Sequence, residues 1–221
     1  MASTVNIPAA PALRKHELRF HVIALALAVV VGFGFWLGTA VVGHREDLRG
    51  ILPDKQRILS DFSLTDRTGR AVTRHELDGK VLAVSFLFTG CASIGPQVSQ
   101  HMAEVQGLTA DQPDVQLVSF TVDPRSDTPS VLARWGAQYS TDTNRWLMLT
   151  GSKPEIQKLI ETSFLSTNSS NPFNSIPCNF SGIERIALVD KHGHVRIYYN
   201  GMRAGTPRAV VAEIERLRHE D

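Results

Sequence analysis

Val81 to Phe88 reads VLAVSFLF, eight residues without a charge. The run is short for a helix and rich in β-prone side chains. It carries no polar alternation, so it predicts a strand buried on both faces, which is the signature of a central strand covered by helices on either side. Val115 to Val122 (VQLVSFTV) is a second strand of the same kind. Between them, from Pro96 to Leu108, Val98, Met102 and Val105 recur at helical spacing.

The remaining signals continue this alternation. Asp61–Thr65 and Arg70–Thr73 flank Asp66-Arg-Thr-Gly69, which predicts a β-hairpin. Asp127 or Thr128 suits a helix N-cap, and Pro129 suits the first turn of a helix running to about Tyr139. Trp146–Leu149 is a short strand, and Ser152-Lys-Pro-Glu155 opens a capped helix to about Thr162. Ile183–Val189 and His194–Tyr199 form a hairpin around Lys191-His-Gly193. A last helix runs from about Pro207 to Arg218. The expectation is an α/β sandwich with a largely parallel centre. Met102, Trp135 and Trp146 are expected in the core, and His101 on a solvated helix face. His192 and His194 are a weak candidate metal pair. Asp123 follows the end of the second buried strand, where either a place beside the functional site or turn chemistry before Pro124 would suit it.

Ahead of this domain lies a segment of different character. Val22 to Val42 is uncharged over 21 residues, enough at about 1.5 Å per residue to span a hydrocarbon core. Arg14, Lys15 and Arg19 precede it, so the N-terminus is expected in the cytoplasm and the rest of the chain outside. Gly38-Thr39-Ala40 would serve as a signal-peptide cleavage site, but the length of the apolar run favours an uncleaved anchor. The expected organisation is a cytoplasmic tail at 1–19, a transmembrane helix at 20–43, a linker at 44–60 and a folded domain at 61–221. A bacterial inner-membrane protein with its domain in the periplasm follows. The net charge of +1 gives no electrostatic case for nucleic acid.

Cys91 sits where the first buried strand turns into a helix, in Phe88-Thr-Gly-Cys-Ala-Ser-Ile-Gly-Pro96. A helix N-terminus favours a thiolate. Cys178 is the only other cysteine, so one intramolecular bridge is the most the chain can form. It lies in the polar stretch from Phe164 to Ser181, long for a connection inside a compact domain.

These motifs together resemble the Sco/SenC family over roughly Ile58 to Leu217. The resemblance rests on Phe62-Ser-Leu-Thr-Asp66 with Gly69-Arg70, on Gly79-Lys-Val81 and on Phe86-Leu-Phe-Thr89. It rests further on Ser119-Phe-Thr-Val-Asp-Pro124 followed by Asp127-Thr-Pro129, on Leu149-Thr-Gly-Ser152, and on Leu188-Val-Asp190 with Gly193. The resemblance implies a thioredoxin-like fold with an N-terminal β-hairpin extension, preceded here by the one transmembrane helix. It implies a copper protein that assists assembly of a respiratory cytochrome oxidase, with an oxidase subunit or another copper protein as partner. Such a protein is a carrier or assembly factor rather than a catalyst.

The family's copper ligands are a Cys-x-x-x-Cys-Pro motif and a distant histidine. In this chain the motif reads Cys91-Ala-Ser-Ile-Gly95-Pro96, and the histidine position falls at or near Gly182. Two of the three protein ligands are absent. By the family's topology the loop carrying Cys178 folds over the Cys91 end of the sheet. The expectation is therefore a weak or relocated copper site of Cys91 and Cys178. A thiol redox pair, with Cys91 attacking and Cys178 resolving, is the second expectation. A binding module that has lost its metal is the third. Peroxidase chemistry is disfavoured, because peroxiredoxins need a threonine where Phe88 stands.

Overall fold

The structure, a computed structural model, describes Leu25, Val29 and residues 50–53, 56–139, 142–164 and 182–220. The chain divides into two units, Met1–Asp47 and Leu48–Asp221. In the first, the expected anchor lies outside the described residues apart from Leu25 and Val29, which are helical and exposed. Among the described residues no helix is long and apolar enough to cross a membrane. Cys178 and the polar stretch around it also lie outside the described residues.

The second unit is built on an eight-stranded sheet. Its strands are β1 (Arg57–Ile58), β2 (Ser63–Asp66), β3 (Ala71–Thr73), β4 (Val81–Leu87), β5 (Val115–Thr121), β6 (Trp146–Thr150), β7 (Arg185–Val189) and β8 (His194–Asn200). Their order in space is β1-β8-β7-β4-β5-β6-β2-β3. The central β4, β5 and β6 are parallel, and the remaining pairs are antiparallel. Among the described residues, four α-helices and a short 3-10 helix (Arg74–Leu77) complete the unit, the α-helices being α1 (Ile94–Leu108), α2 (Pro129–Ala137), α3 (Lys153–Ser163) and α4 (Thr206–Arg218).

The apolar runs at the centre behave as expected. Every residue of β4 and β5 is buried. Leu82, Val84, Phe86, Val118 and Phe120 pack with Ile156, Leu159 and Ile160 of α3 on one face. Val81, Ala83, Leu87, Val115 and Leu117 pack with Val98, Met102 and Val105 of α1, and with residues of α2 and α4, on the other. The two periodicities of strand and helix thus generate two cores, each closed by its own helices. Within the second lies a short polar chain. Ser85 Oγ and Ser119 Oγ stand 2.7 Å apart, and Trp146 Nε1 donates to Ser119 Oγ at 2.9 Å. Because the three groups satisfy one another, their burial carries no unpaired polar atom.

The α3 start is the expected capping box, with Ser152 and Glu155 bonded reciprocally. The sheet also reaches back into the segment expected as linker. Ile51 bridges Tyr198, and β1 pairs with β8 as an edge strand.

Candidate functional site

β4 and β5 lie side by side and parallel, with Leu87 opposite Thr121. The loops that leave their carboxyl ends are therefore neighbours, and this is where open α/β sheets gather their functional groups. The β4 loop carries Cys91. The β5 loop carries Asp123 and Asp127.

Cys91 is fully buried, while Gly90, Ala92 and Ser93 around it are exposed. Its N–H donates to the Phe88 carbonyl at 3.1 Å, which folds the loop into a tight turn. Its Sγ lies 3.8 Å from the Oγ of Ser93, the residue that precedes the first turn of α1. The thiol is thus tucked beside a helix start, as the sequence places it.

Gly95 is the second residue of α1 and is buried. A Cβ at this position would lie 3.2 Å from the Phe88 carbonyl oxygen and 3.5 Å from the Trp135 ring. Gly182 is buried and has φ +108°, a backbone conformation that side-chain-bearing residues rarely adopt. Neither position supplies a ligand atom. Among the described residues no three His, Cys, Asp or Glu side chains converge as a metal group would require. The described residues therefore offer copper a single thiol, which does not make a three-ligand site.

His101, His192 and His194 each have structural partners. His101 is 8% exposed, not solvated as its sequence position suggests. Its Nδ1 lies 2.7 Å from the Gly201 carbonyl, so that nitrogen carries the proton and donates, tying α1 to the β8–α4 connection. His192 and His194 flank the β7–β8 turn with ring centroids 6.4 Å apart. Both their backbone N–H groups donate to Asp190 Oδ1 at 2.9 Å, so these residues serve the turn.

Asp123 performs the turn chemistry expected of it. Its carbonyl accepts the N–H groups of Ser126 and Asp127, and its carboxylate accepts the Ser126 hydroxyl. Asp127 is different. The N-cap of α2 is Thr128, and the Asp127 side chain makes no cap. Asp127 is fully buried and reaches back across the two loops. Its carboxylate accepts the Thr89 hydroxyl at 2.5 Å, the Thr89 N–H at 3.2 Å and the Thr121 hydroxyl at 2.6 Å. Burial pushes this carboxyl above its ordinary value, against the pull of those hydrogen bonds, and nearby Asp123 adds to the rise. Sequence reading missed this role. The available signal was an aspartate just beyond a fully buried strand, one position too early to be the cap.

A central parallel sheet covered on both faces, with a cysteine at the β4-to-α1 turn and an added hairpin of β2 and β3, defines a thioredoxin-like α/β protein. Residues 52–219 match the SCO1/SenC family model, and the chain belongs to that family. It is 36% identical over 105 residues to the SCO1 protein homolog of Bacillus subtilis, a match covering 47% of this chain and 54% of that relative. The chain thus matches only about half of that relative's length. A solved structure of BsSco, described as a member of the Sco family of cytochrome c oxidase assembly proteins with a disulfide switch, is 26% identical. It aligns with a TM-score of 0.64 over 77% of this chain and 99% of its own. The Bradyrhizobium japonicum ScoI structure with copper bound is also 26% identical, with a TM-score of 0.54 over 72% of this chain and 99% of its own.

Proposed function

We propose that this chain is a membrane-anchored periplasmic Sco-type accessory protein that helps assemble the copper site of a respiratory cytochrome oxidase. It works through an incomplete copper site centred on Cys91. The observation that carries the reading is Cys91 itself, held at the β4-to-α1 turn of a Sco-family domain while glycine occupies positions 95 and 182. Copper(I) prefers thiolate ligands, and one thiolate alone holds it weakly. Cys178 is the second sulfur of the site. With both thiols reduced the pair takes copper as cargo, and the partner is an oxidase subunit or another copper protein. The uncharged run at 22–42 anchors the domain, with the N-terminus in the cytoplasm.

Titration of the full chain in detergent with copper(I) against a competing chelator tests this. Stoichiometric binding that is lost in both Cys91→Ser and Cys178→Ser is the expected result. A parent protein that cannot compete for copper(I) at all overturns the carrier reading.

A second reading follows from the same two cysteines, the only ones in the chain. Export permits a disulfide to persist. Cys91 and Cys178 would then cycle between two thiols and one disulfide, releasing two protons and passing two electrons to an oxidant. Thiol alkylation before and after oxidant treatment decides it, since two thiols that stay alkylatable under oxidant exclude the cycle. Failure of both tests leaves a protein-binding module.

A further inference from the structure

We infer that Asp127 is a positioning residue for Cys91, a buried carboxylate clamp that works through Thr89 to hold the Cys91 turn closed. The inference rests on the reading of Cys91 as the working residue of the site, and its test needs no copper.

The topology sets up the clamp. The loops from β4 and β5 leave adjacent parallel strands at the same level, because Leu87 pairs with Thr121. Val122 N–H donates to the Leu87 carbonyl at 2.8 Å, the last backbone bond between the two strand ends. Beyond it the backbones diverge into their loops, and Asp127 is what joins them. One carboxylate takes donors from both: Thr121 at the end of β5, and Thr89 two residues before Cys91. It grips Thr89 twice, through the hydroxyl and through the backbone N–H. The second bond fixes the main chain itself within the Phe88–Cys91 turn.

Two observations separate this from ordinary turn or cap chemistry. Asp127 lies in a polar loop whose neighbours Arg125, Ser126 and Thr128 are exposed, yet it is fully buried. Its side chain ignores the helix it immediately precedes. A carboxylate withdrawn from water needs compensation from its partners, and here the partners are directed to the Cys91 loop. Cys91 is itself fully buried although the residues on either side are exposed. A buried thiol reacts through local opening, and releasing Thr89 from Asp127 frees the turn that carries this one.

The test is the alkylation rate of Cys91 in the native full chain, in a Cys178→Ser background where Cys91 is the single thiol. Asp127→Ala should react at least tenfold faster. Asp127→Asn keeps an acceptor for the Thr89 N–H and an amide for a threonine hydroxyl, and should stay within threefold of the parent. Thr89→Val retains the backbone bond and should fall between them. It carries the test should Asp127→Ala fail to fold. Ile160→Ala, a core change on α3, serves as the reference for general destabilisation. A folded Asp127→Ala within threefold of the parent overturns the proposal. So does Ile160→Ala accelerating alkylation as much as Asp127→Ala does. Failure of the copper titration with the alkylation result intact removes the cargo and leaves the clamp.

Discussion

Two of the turns organised around a buried aspartate, at Asp190 and at Asp127, are built on opposite electrostatic terms. At the β7–β8 hairpin, Asp190 accepts the N–H groups of His192 and His194 and the Arg196 guanidinium at 3.0 Å. Burial alone would raise its carboxyl, but these partners outweigh burial and hold it below the ordinary value. At the Cys91 turn, Asp127 has two hydroxyls and one N–H, all neutral, and burial wins. The hairpin carries a compensated charge and the Cys91 turn an under-compensated one.

The largest expected effect comes from deleting each carboxylate. Asp190→Ala strands two backbone N–H groups and leaves Arg196 with Glu220 as its carboxylate partner, and should cost about 1.5–3 kcal/mol at neutral pH, the range for hydrogen bonds to charged groups. Asp127→Ala also loses hydrogen bonds, but it removes a charge that burial disfavours, so its cost should be only about 1 kcal/mol. Urea unfolding of the two variants beside the parent measures both. Equal losses would break the contrast between the turns.

Glycines give a smaller and sharper test. Gly193 in the hairpin has φ +86°, and a Cβ there would lie 2.7 Å from an Arg74 guanidinium nitrogen. Gly193→Ala should cost about 1–2 kcal/mol through backbone strain. Gly95 at the Cys91 turn sits inside a helix, where alanine gains about 0.5–1 kcal/mol over glycine. The 3.2 Å approach to the Phe88 carbonyl offsets that gain, so Gly95→Ala should change stability by less than about 1 kcal/mol. Thermal melting separates the two. Gly95 and Gly182 also differ in what a side chain would meet. A side chain at Gly95 asks for a shift of a few tenths of an ångström, whereas one at Gly182 must adopt φ +108°.

The same contrast explains what could be read from sequence. VLAVSFLF announced a central strand because burial on both faces leaves a pattern in the residues themselves. Val98, Met102 and Val105 announced the inner face of α1 for the same reason, and all three are buried. Cys91 could be placed because a strand-to-helix turn is a local event. Asp127 and His101 could not. Each is polar, each has an exposed chain neighbour, and each is buried against a partner distant in the chain. Thr89 is 38 residues from Asp127, and Gly201 is 100 residues from His101. No local period encodes such meetings. Aspartate before a Thr-Pro helix start also has a ready local explanation as a cap, and that explanation competed with the true one.

The smallest effect is a matter of sign and is the most discriminating. Asp190 has a lowered carboxyl, so the stability it contributes is present above the unfolded value of 3.8 and is lost as the pH falls through its lower folded value. Asp127 has a raised carboxyl. Its contribution is fully present below 3.8 and is lost as the pH rises through its higher folded value. Asparagine at either position removes the titration while keeping a similar shape. Urea unfolding free energies of Asp190→Asn and Asp127→Asn, each taken relative to the parent from pH 3 to pH 7, cancel the carboxylates common to both. Relative to the parent, Asp190→Asn should become less stable as the pH rises through the acid range, and Asp127→Asn should become more stable. Two differences running in the same direction would mean that the Cys91 turn is charge-balanced like the hairpin. Differences of opposite slope would show that burial outweighs the partners of the carboxyl at the end of the sheet where the thiol lies.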